Sequence, residues 1–323
     1  MMTKDIRIVY MGTPDFAVAP LKTLVDAGYN IVCVVTVPDK PAGRGQKVQS
    51  SPVKIYAQEK GLKILQPEKL KNPDFTSEFN SLSPDIAVVV AFRMLPKSIW
   101  SVPKLGTFNL HASLLPQYRG AAPINWAIIY GEKKTGVTTF IIDKEIDTGN
   151  IIYREEVNID TNDTAGDIHD KLMVIGAELV LKTVQAITEK KVKPIAQQLY
   201  LQDSEQVKSA PKIFRETCRI DWTKTVSDVH NFIRGLSPYP GAWTELIFED
   251  GTAVQTKILK SIQIEKNHQH TSGLILIEGK NALNVACNNG FVSIIEMQLA
   301  GKRPMKTNEF LNGLRNVAPI KMI

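Results

Sequence analysis

Cysteine and long apolar runs are both scarce in this sequence of 323 residues. The three cysteines, Cys33, Cys218 and Cys287, lie far apart, and two of them fall inside apolar runs. An odd, scattered set argues against a disulfide framework or a zinc site and predicts buried thiols in a reducing compartment. The five histidines also lack the spacing of metal ligands, so we expect no metal.

No stretch stays apolar over the roughly 20 residues that a helix needs to cross a bilayer. The chain starts directly with a strand pattern, where a signal peptide would have its hydrophobic segment. With 43% hydrophobic and 22% charged residues, the composition is that of a globular protein. We therefore expect a cytoplasmic protein without a membrane partner, and we expect it to be a monomer.

The glycine pattern of dinucleotide-binding proteins is missing as well. The first strand-like run ends at Gly12, but Thr13 and Pro14 follow where G-x-G-x-x-G would continue. This argues against a nicotinamide or flavin site. Thr13 is suited to cap a helix and Pro14 to begin it, whereas Pro20 inside that helix should remove a hydrogen bond or cause a kink.

Positive charge is concentrated toward the C-terminal end. Residues 1–207 hold 24 Lys and Arg against 23 Asp and Glu, whereas residues 208–323 hold 15 against 10, a net charge of +5. A basic terminal third indicates an anionic partner such as a nucleic acid. Charge alone leaves this open, since many small basic domains bind nothing anionic.

Strand-like and helix-like patterns alternate through the first 190 residues. Near-continuous apolar strands between helices are typical of a parallel sheet covered on both faces. The predicted strands occupy residues 6–12, 30–37, 62–65, 86–92, 106–111, 137–142 and 150–157. The predicted helices follow Pro14 and Pro123 or occupy residues 52–60 and 164–190. The fold class is thus α/β, with a Rossmann-like, mostly parallel sheet.

The last third of the chain has a different pattern. Periodicity fails between residues 191 and 213, which we interpret as a linker. Beyond it the sequence predicts a helix near 226–236, a helix near 308–315 and five short strands at 242–248, 254–262, 273–277, 283–286 and 291–298. Five short strands suit a small barrel of the oligonucleotide-binding (OB) type. The predicted divisions are a catalytic domain (1–190), a linker (191–213) and an OB-like domain (214–323).

Asn109 and His111 stand two residues apart at the end of a predicted strand. Such residues share one face, about 7 Å apart along the chain, and polar side chains there are costly unless they are satisfied. A hydrogen-bonded core pair is the ordinary interpretation, but the shared place at a strand end favours a site. Asp147 ends an acidic loop that also contains Asp143 and Glu145. Its spacing fits a residue of the site and a plain turn residue equally well.

Motifs along nearly the whole chain resemble the folate-dependent formyltransferases, and within them the branch that acts on tRNA. The most specific motif is Asn-Leu-His-Ala-Ser-Leu-Leu-Pro-Gln-Tyr-Arg-Gly-Ala-Ala-Pro at residues 109–123. The others are Met-Gly-Thr-Pro-Asp-Phe-Ala (11–17), Pro-Asp-Lys-Pro-Ala-Gly-Arg-Gly (38–45), Ser-Pro-Val-Lys (51–54), Gly-Val-Thr (136–138), Ile-Asp-Thr-Gly (146–149), Arg-Ile-Asp-Trp (219–222) and Gln-Leu-Ala-Gly-Lys (298–302).

The resemblance implies that a formyl group passes from 10-formyltetrahydrofolate, as co-substrate, to the amino group of the methionine on initiator methionyl-tRNA. It assigns catalysis to Asn109, His111 and Asp147. Asn109 and His111 would donate hydrogen bonds to the oxyanion that develops on the formyl group. Asp147 would keep His111 charged and assist proton removal.

The same resemblance implies the folate-binding residues. They are Val90, Ala91 and Phe92, against the pterin, and Ser113, Leu114, Leu115 and Pro116. The family's usual Ala-Tyr-Gly is replaced here by Ala-Phe-Arg at 91–93, in a segment one residue shorter. Arg93 is therefore either a surface residue or a ligand of the glutamate tail of folate.

The loop at residues 38–51 is expected to bind tRNA. It carries Lys40, Arg44 and Lys47, and the resemblance places Arg44 at the end of the acceptor stem. Gly43 and Gly45 would let the loop order on binding. A solvated surface loop is the alternative interpretation of the same residues.

Other members of the family share the Asn/His/Asp set. The glycinamide ribonucleotide enzyme lacks a second domain, and the formyltetrahydrofolate hydrolase has an additional domain before its first strand. Sugar-nucleotide formyltransferases, which act on UDP-amino sugars, carry a C-terminal domain but lack the Pro-Ala-Gly-Arg-Gly loop. A non-catalytic RNA-binding protein on the same scaffold is the alternative from another class, and the intact Asn/His/Asp set argues against it.

Overall fold

A computed structural model of the chain describes residues 5–42, 47–201, 206–314 and 317–323. The chain forms two units. The first comprises residues 1–120, 136–157 and 169–209, and the second comprises residues 121–135, 158–168 and 210–323. The second unit thus includes two segments from the range 1–190, and the predicted domain boundaries remain a prediction.

Seven strands form the sheet of the first unit. Up to residue 210 the strands are β1 (Arg7–Gly12), β2 (Asn30–Val35), β3 (Lys40–Ala42), β4 (Lys47–Gln49), β5 (Ile64–Leu65), β6 (Ile86–Val90), β7 (Thr107–His111), β8 (Arg119–Gly120), β9 (Lys134–Ile141), β10 (Ile151–Asn158) and β11 (Ser209–Ala210). The strand order in the sheet is β10-β9-β7-β6-β1-β2-β5. The strands from β7 to β5 pair in parallel and β9 is antiparallel to β7, which confirms the predicted mostly parallel sheet.

Helices accompany the strands in chain order. They are α1 (Val18–Asp26), α2 (Pro52–Glu59), α3 (Pro73–Ser81), α4 (Lys97–Trp100), α5 (Pro123–Ile129) and α6 (Ala165–Thr188). Ser51 caps α2 by accepting a hydrogen bond from the Lys54 N–H, with Pro52 at the first helical position. The sequence did not predict α3, because most of its residues are polar and only Phe75 and Phe79 face the core.

The expectation for Pro20 is wrong. A 3-10 turn at Asp15–Ala17 precedes α1, and Pro14 stands before it without any side-chain cap from Thr13. Since α1 begins only at Val18, Pro20 lies in the first helical turn. The N–H groups of the first turn have no partner within a helix, so the proline there removes no hydrogen bond.

The three cysteines are free and buried, as predicted. Burial raises the pKa of Cys33 and of Cys287 to about 12. It also raises the pKa of Cys218. A thiol with a raised pKa forms little of the reactive thiolate, so these side chains serve as small apolar core residues.

An antiparallel sheet forms most of the second unit. Its strands are β12 (Ala242–Phe248), β13 (Ala253–Glu265), β14 (Ile275–Glu278), β15 (Ala282–Cys287), β16 (Gly290–Leu299), β17 (Met305–Lys306) and β18 (Pro319–Met322), and its remaining helices are α7 (Val226–Leu236) and α8 (Thr307–Gly313). Met322 N donates to Gly273 O at 2.8 Å, which brings the last strand beside the start of β14. The sheet therefore closes almost completely into the predicted small barrel, although β17 and β18 were not among the predicted strands.

Helix α7 carries two buried polar residues, His230 and Arg234, on its packed face. His230 Nε2 donates to the Thr161 carbonyl at 3.2 Å, and Nδ1 lies 2.9 Å from the Ser261 hydroxyl. The Arg234 guanidinium donates to the carbonyls of Asp160 and Asp163. Burial lowers the pKa of His230, so the folded protein holds this ring neutral.

His230 should make stability depend on pH. As the pH is lowered through about 6.5, His230 takes up a proton in the unfolded state but resists it in the folded state. The free energy of unfolding therefore decreases as the pH is lowered. Between pH 7.5 and 5.5 we expect the native protein to lose more unfolding free energy than His230→Gln, measured by urea denaturation. His270→Gln, at an exposed histidine, is the control. Equal losses in the native protein and His230→Gln would contradict the assignment.

Candidate functional site

The carboxyl ends of three parallel strands meet at one edge of the first unit's sheet. Gly12, at the end of β1, pairs with Val90 at the end of β6, and Val89 pairs with Asn109 of β7. In open α/β sheets, ligands bind beyond this edge. The strand ends from which the sequence predicts both pterin and catalytic contacts are therefore neighbours in the structure.

Asn109 and His111 lie on one face of β7, as predicted from their spacing. Their partners on β9 are Phe140 and Thr138. Leu110 points to the other face, toward Gly176 of α6. The two residues are so close that a Cβ at Gly176 would lie 2.8 Å from Leu110 Cδ2. The Asn109 side chain is partly exposed, and among the described residues its amide makes no hydrogen bond, so the amide is available to a ligand.

The His111 ring is buried and has one hydrogen-bond partner that determines its protonation pattern. Nε2 lies 2.9 Å from the main-chain carbonyl oxygen of Tyr118. A carbonyl oxygen can only accept, so Nε2 carries a proton and donates it. In the neutral ring, Nδ1 is then the unprotonated nitrogen, and it faces Asp147 Oδ2 at 3.9 Å.

Asp147 lies between β9 and β10 in a left-handed backbone conformation, with φ of 55°. Among residues with a Cβ, Asp and Asn tolerate this region best. Its Oδ2 accepts a hydrogen bond from Gly120 N at 3.0 Å, which directs the carboxylate toward His111. The structure thus brings Asn109, His111 and Asp147 into one unit, with the carboxylate close enough to stabilise positive charge on the ring.

The stretch expected to bind folate, from Ser113 to Pro116, is mostly buried. The Ser113 hydroxyl donates to Gln117 O at 2.6 Å, and the Leu115 side chain is fully enclosed in the core. Leu114 alone in this stretch is partly exposed. A ligand that contacts the stretch would therefore meet Leu114 and the backbone, while Ser113 and Leu115 hold the shape of the turn.

The segment expected to lie against the pterin has an exposed corner. Val90 is buried, Ala91 is exposed with φ of 45°, and Phe92 is partly buried against the core. Arg93 donates to the carbonyls of Pro67 and Glu68 at 2.7 and 2.8 Å. Its guanidinium is therefore bound to the neighbouring loop, which favours a structural role over a contact with the glutamate tail.

The basic loop at residues 38–51 contains a short antiparallel pair of strands. Lys40 of β3 pairs with Gln49 of β4, and the Lys40 side chain is exposed. Lys47 begins β4. Arg44 lies outside the described residues. At the base of the loop, Asp39 accepts from Lys54 Nζ at 2.5 Å, and this contact lowers the pKa of Asp39.

Gln197 contacts the candidate site, although it lies in the segment that the sequence predicts to be a linker. It is 2% exposed and bonds both to Arg119 and to the main chain of the Asp147 loop. The only local feature of this segment is its irregular run of polar residues, and an exposed linker has the same feature. Contacts that distant in sequence leave no local periodicity from which they could be predicted.

Within the described residues, no group of three or more His, Cys, Asp or Glu side chains is placed to hold a metal ion. None of the described helices combines the length and the apolar character that spanning a membrane requires.

Two family models match the chain. The model for formyl transferase matches residues 6–184, and the model for the formyl transferase C-terminal domain matches residues 212–315. Together they extend over both the catalytic candidates and the barrel.

Curated relatives match nearly end to end. The methionyl-tRNA formyltransferase of Bacteroides thetaiotaomicron is 55% identical over 315 residues, 98% of each chain. That of Flavobacterium johnsoniae is 48% identical over 311 residues, 96% of this chain and 97% of the relative. Among solved structures, the sugar 3N-formyl transferase WlaRD, studied with dTDP and 5-N-formyl-THF, superposes with a TM-score of 0.63 at 26% identity and covers 92% of this chain and 99% of its own.

Gly149 should be required for the shape of the Asp147 loop. A Cβ at this position would lie 1.7 Å from Ile141 O, so Gly149→Ala must displace the loop. We expect the substitution to lower the unfolding free energy by about 1–3 kcal/mol, measured by urea denaturation. Gly313→Ala, where an added Cβ meets nothing within 4 Å, should change it by less than about 0.5 kcal/mol. Equal stability of the two variants would show that close packing of Gly149 against Ile141 does not determine the shape of the loop.

Proposed function

The chain belongs to the formyl transferase family, and on that basis we propose that it transfers a formyl group from 10-formyltetrahydrofolate to the amino group of initiator methionyl-tRNA. The product is N-formylmethionyl-tRNA for translation initiation, and we infer from this role that the protein acts in the cytoplasm. The observation that carries the choice of acceptor is the end-to-end similarity to relatives of that name. The arrangement of Asn109, His111 and Asp147 supplies the chemistry.

Attack of the amine on the formyl carbon puts negative charge on the formyl oxygen. Two donors near the end of β7 are suited to stabilise it. The first is the Asn109 amide, which is free of other described partners. The second is His111 in its charged form, because Nε2–H remains bonded to Tyr118 O and Nδ1–H is left for the oxyanion.

Asp147 has two functions in this proposal. Its carboxylate, 3.9 Å from Nδ1, stabilises the positive charge on His111. The attacking nitrogen must also lose a proton, and a carboxylate is too weak a base to take it alone at neutral pH. Asp147 therefore orients a water molecule that carries the proton to N10 of the folate, so that tetrahydrofolate leaves when its bond to the formyl carbon breaks. The amine itself needs little activation, since a free α-amino group has a pKa of about 8.

The folate donor would bind at the edge formed by β6 and β7. Ala91 and Phe92 offer an exposed corner and an aromatic side chain to the pterin, beside the buried Val90. Leu114 adds a partly exposed apolar contact, while Ser113, Leu115 and Pro116 support the turn around it. An apolar slot with backbone polar groups at its edge is the usual form of such a site.

Recognition of tRNA would depend on positive charge in two regions. Lys40, Arg44 and Lys47 belong to the loop between β2 and α2, and the second region is the basic stretch 208–323. Contacts of Lys and Arg with phosphates make binding strongly dependent on salt concentration. The loop would recognise the acceptor end and the barrel the body of the tRNA.

The alternative acceptor is a nucleotide-linked amino sugar. WlaRD, named as a sugar 3N-formyl transferase, shares the fold, but at 26% identity it is much less similar than the relatives named for methionyl-tRNA. A non-catalytic RNA-binding role would not explain why Asn109, His111 and Asp147 are assembled at a strand edge.

The acceptor can be identified by comparing candidate acceptors in separate reactions. The protein would be incubated with 10-formyltetrahydrofolate and, in separate reactions, with methionyl-tRNA, glycinamide ribonucleotide or a UDP-amino sugar, and formylated product would be quantified. We expect product only with methionyl-tRNA. Formylation of the sugar nucleotide with none on tRNA would replace the proposal by its alternative, and no formylation at all would favour the binding protein.

The oxyanion role of Asn109 predicts a specific kinetic defect. Removal of one such donor typically costs about 10²–10³ in kcat. Asn109→Ala should show a loss of that size with the KM for tRNA nearly unchanged, measured by steady-state formylation. Asn80→Ala, at an exposed position in α3, is the control. Native kcat in Asn109→Ala would remove Asn109 from the oxyanion site.

A further inference from the structure

Gln197 begins a single 3-10 turn, Gln197–Tyr200, in the segment that the sequence predicts to be a linker. Its neighbours Gln198, Leu199 and Tyr200 are exposed, but Gln197 is 2% exposed. A glutamine is seldom buried unless its amide is fully bonded, because an unsatisfied polar group in the interior is costly. Burial of Gln197 therefore requires hydrogen-bond partners for its amide.

The Gln197 amide uses all four of its hydrogen-bonding positions. Oε1 accepts two bonds from Arg119, from Nε at 3.1 Å and from a terminal nitrogen at 2.7 Å. Nε2 donates to the carbonyl oxygens of Asp147 and Gly149, both at 2.8 Å. Arginine can only donate and a carbonyl can only accept, so these partners permit one orientation of the amide.

The two carbonyls that Gln197 binds lie on either side of Thr148 in the catalytic loop. Asp147 has a left-handed backbone, which a residue with a Cβ rarely adopts without support from its surroundings. Gly149 approaches Ile141 too closely for any side chain. Gln197 thus joins both ends of a tight turn whose conformation determines where the Asp147 carboxylate points.

Arg119 connects this contact to the other side of the site. It lies between Tyr118, whose carbonyl accepts from His111, and Gly120, whose N–H donates to the Asp147 carboxylate. Through Arg119, Gln197 ties the Asp147 loop to the segment that also holds His111. Contacts from Gln197 and from the 118–120 segment therefore both determine the distance between Asp147 and His111.

We propose that Gln197 is a positioning residue for formyl transfer, which holds the Asp147 loop so that the carboxylate faces His111. The proposal rests on the catalytic role of Asp147 given above. Gln197 contacts neither the ring of His111 nor the carboxylate of Asp147 and would act only through the main chain of the loop.

Gln197→Glu is the sharpest substitution, because it keeps the size of the side chain. The carboxylate would retain Arg119 as a partner but would present an oxygen without a proton to two carbonyl oxygens. The loop should move away, and a misplacement on the order of 1 Å can lower a rate about 100-fold. We expect kcat to fall by about that factor, with the KM values for folate and methionyl-tRNA within about twofold of native.

Gln198→Glu is the matched control, since it introduces the same charge at the adjacent, exposed position and should keep native kcat. Thermal melting would confirm that each variant is folded at the assay temperature. If Gln197→Glu does not fold, Gln197→Met, which fills the same space without hydrogen bonds, gives the same test. Native kcat in either folded variant at position 197 would overturn the proposal.

A double-mutant cycle separates this proposal from the proposed function. Asp147→Ala tests the role of Asp147 itself, and if it retains native kcat, the catalytic assignment fails. If Asp147→Ala is impaired, adding Gln197→Glu should cause little further loss, because the loop no longer carries a carboxylate to position. A further loss of the full 100-fold would show that Gln197 acts independently of Asp147, and the positioning role would be wrong while the proposed function stands.

Discussion

Three consecutive residues hold the candidate site in shape. The Tyr118 carbonyl accepts the Nε2 proton of His111, the Arg119 side chain binds Gln197, and the Gly120 N–H donates to the Asp147 carboxylate. Because these partners come from one short segment, His111 and Asp147 cannot shift independently of it. Within the motif at residues 109–123, β7 thus presents Asn109 and His111, and the turn after it determines the tautomer of His111 and holds the Asp147 carboxylate near it.

Chemistry and acceptor recognition depend on different parts of the sequence. The proposed catalytic residues all belong to the first unit, while the net charge of +5 belongs to residues 208–323. Formyl transfer to any amine needs the same two donors and the same route for a proton. Under the proposed function, the choice among amines comes from regions that bind the rest of the acceptor, and contacts of Lys and Arg with phosphates supply affinity for a polyanion.

The sequence predicted elements whose signals are local. Strands such as β6, which is apolar throughout, and helix α7 were found at nearly their observed bounds, as was the one-face pair Asn109 and His111. Elements that are mostly polar or very short, such as α3 and the four-residue β18, were missed. The tautomer of His111 and the contacts of Gln197 were beyond prediction, because they depend on backbone carbonyls brought together from distant positions. Asp147 needed both the resemblance and the structure, since its spacing is also that of a plain turn.

The protonation pattern of His111 tests most directly whether the segment 118–120 controls the site. Long-range ¹H–¹⁵N correlation spectra of the free protein at pH 9, where histidine rings are neutral, distinguish the two tautomers of each histidine. The His111 signals would be assigned by their loss in His111→Asn. We predict that neutral His111 carries its proton on Nε2, where the Tyr118 carbonyl accepts it. A neutral ring protonated on Nδ1 would contradict this account.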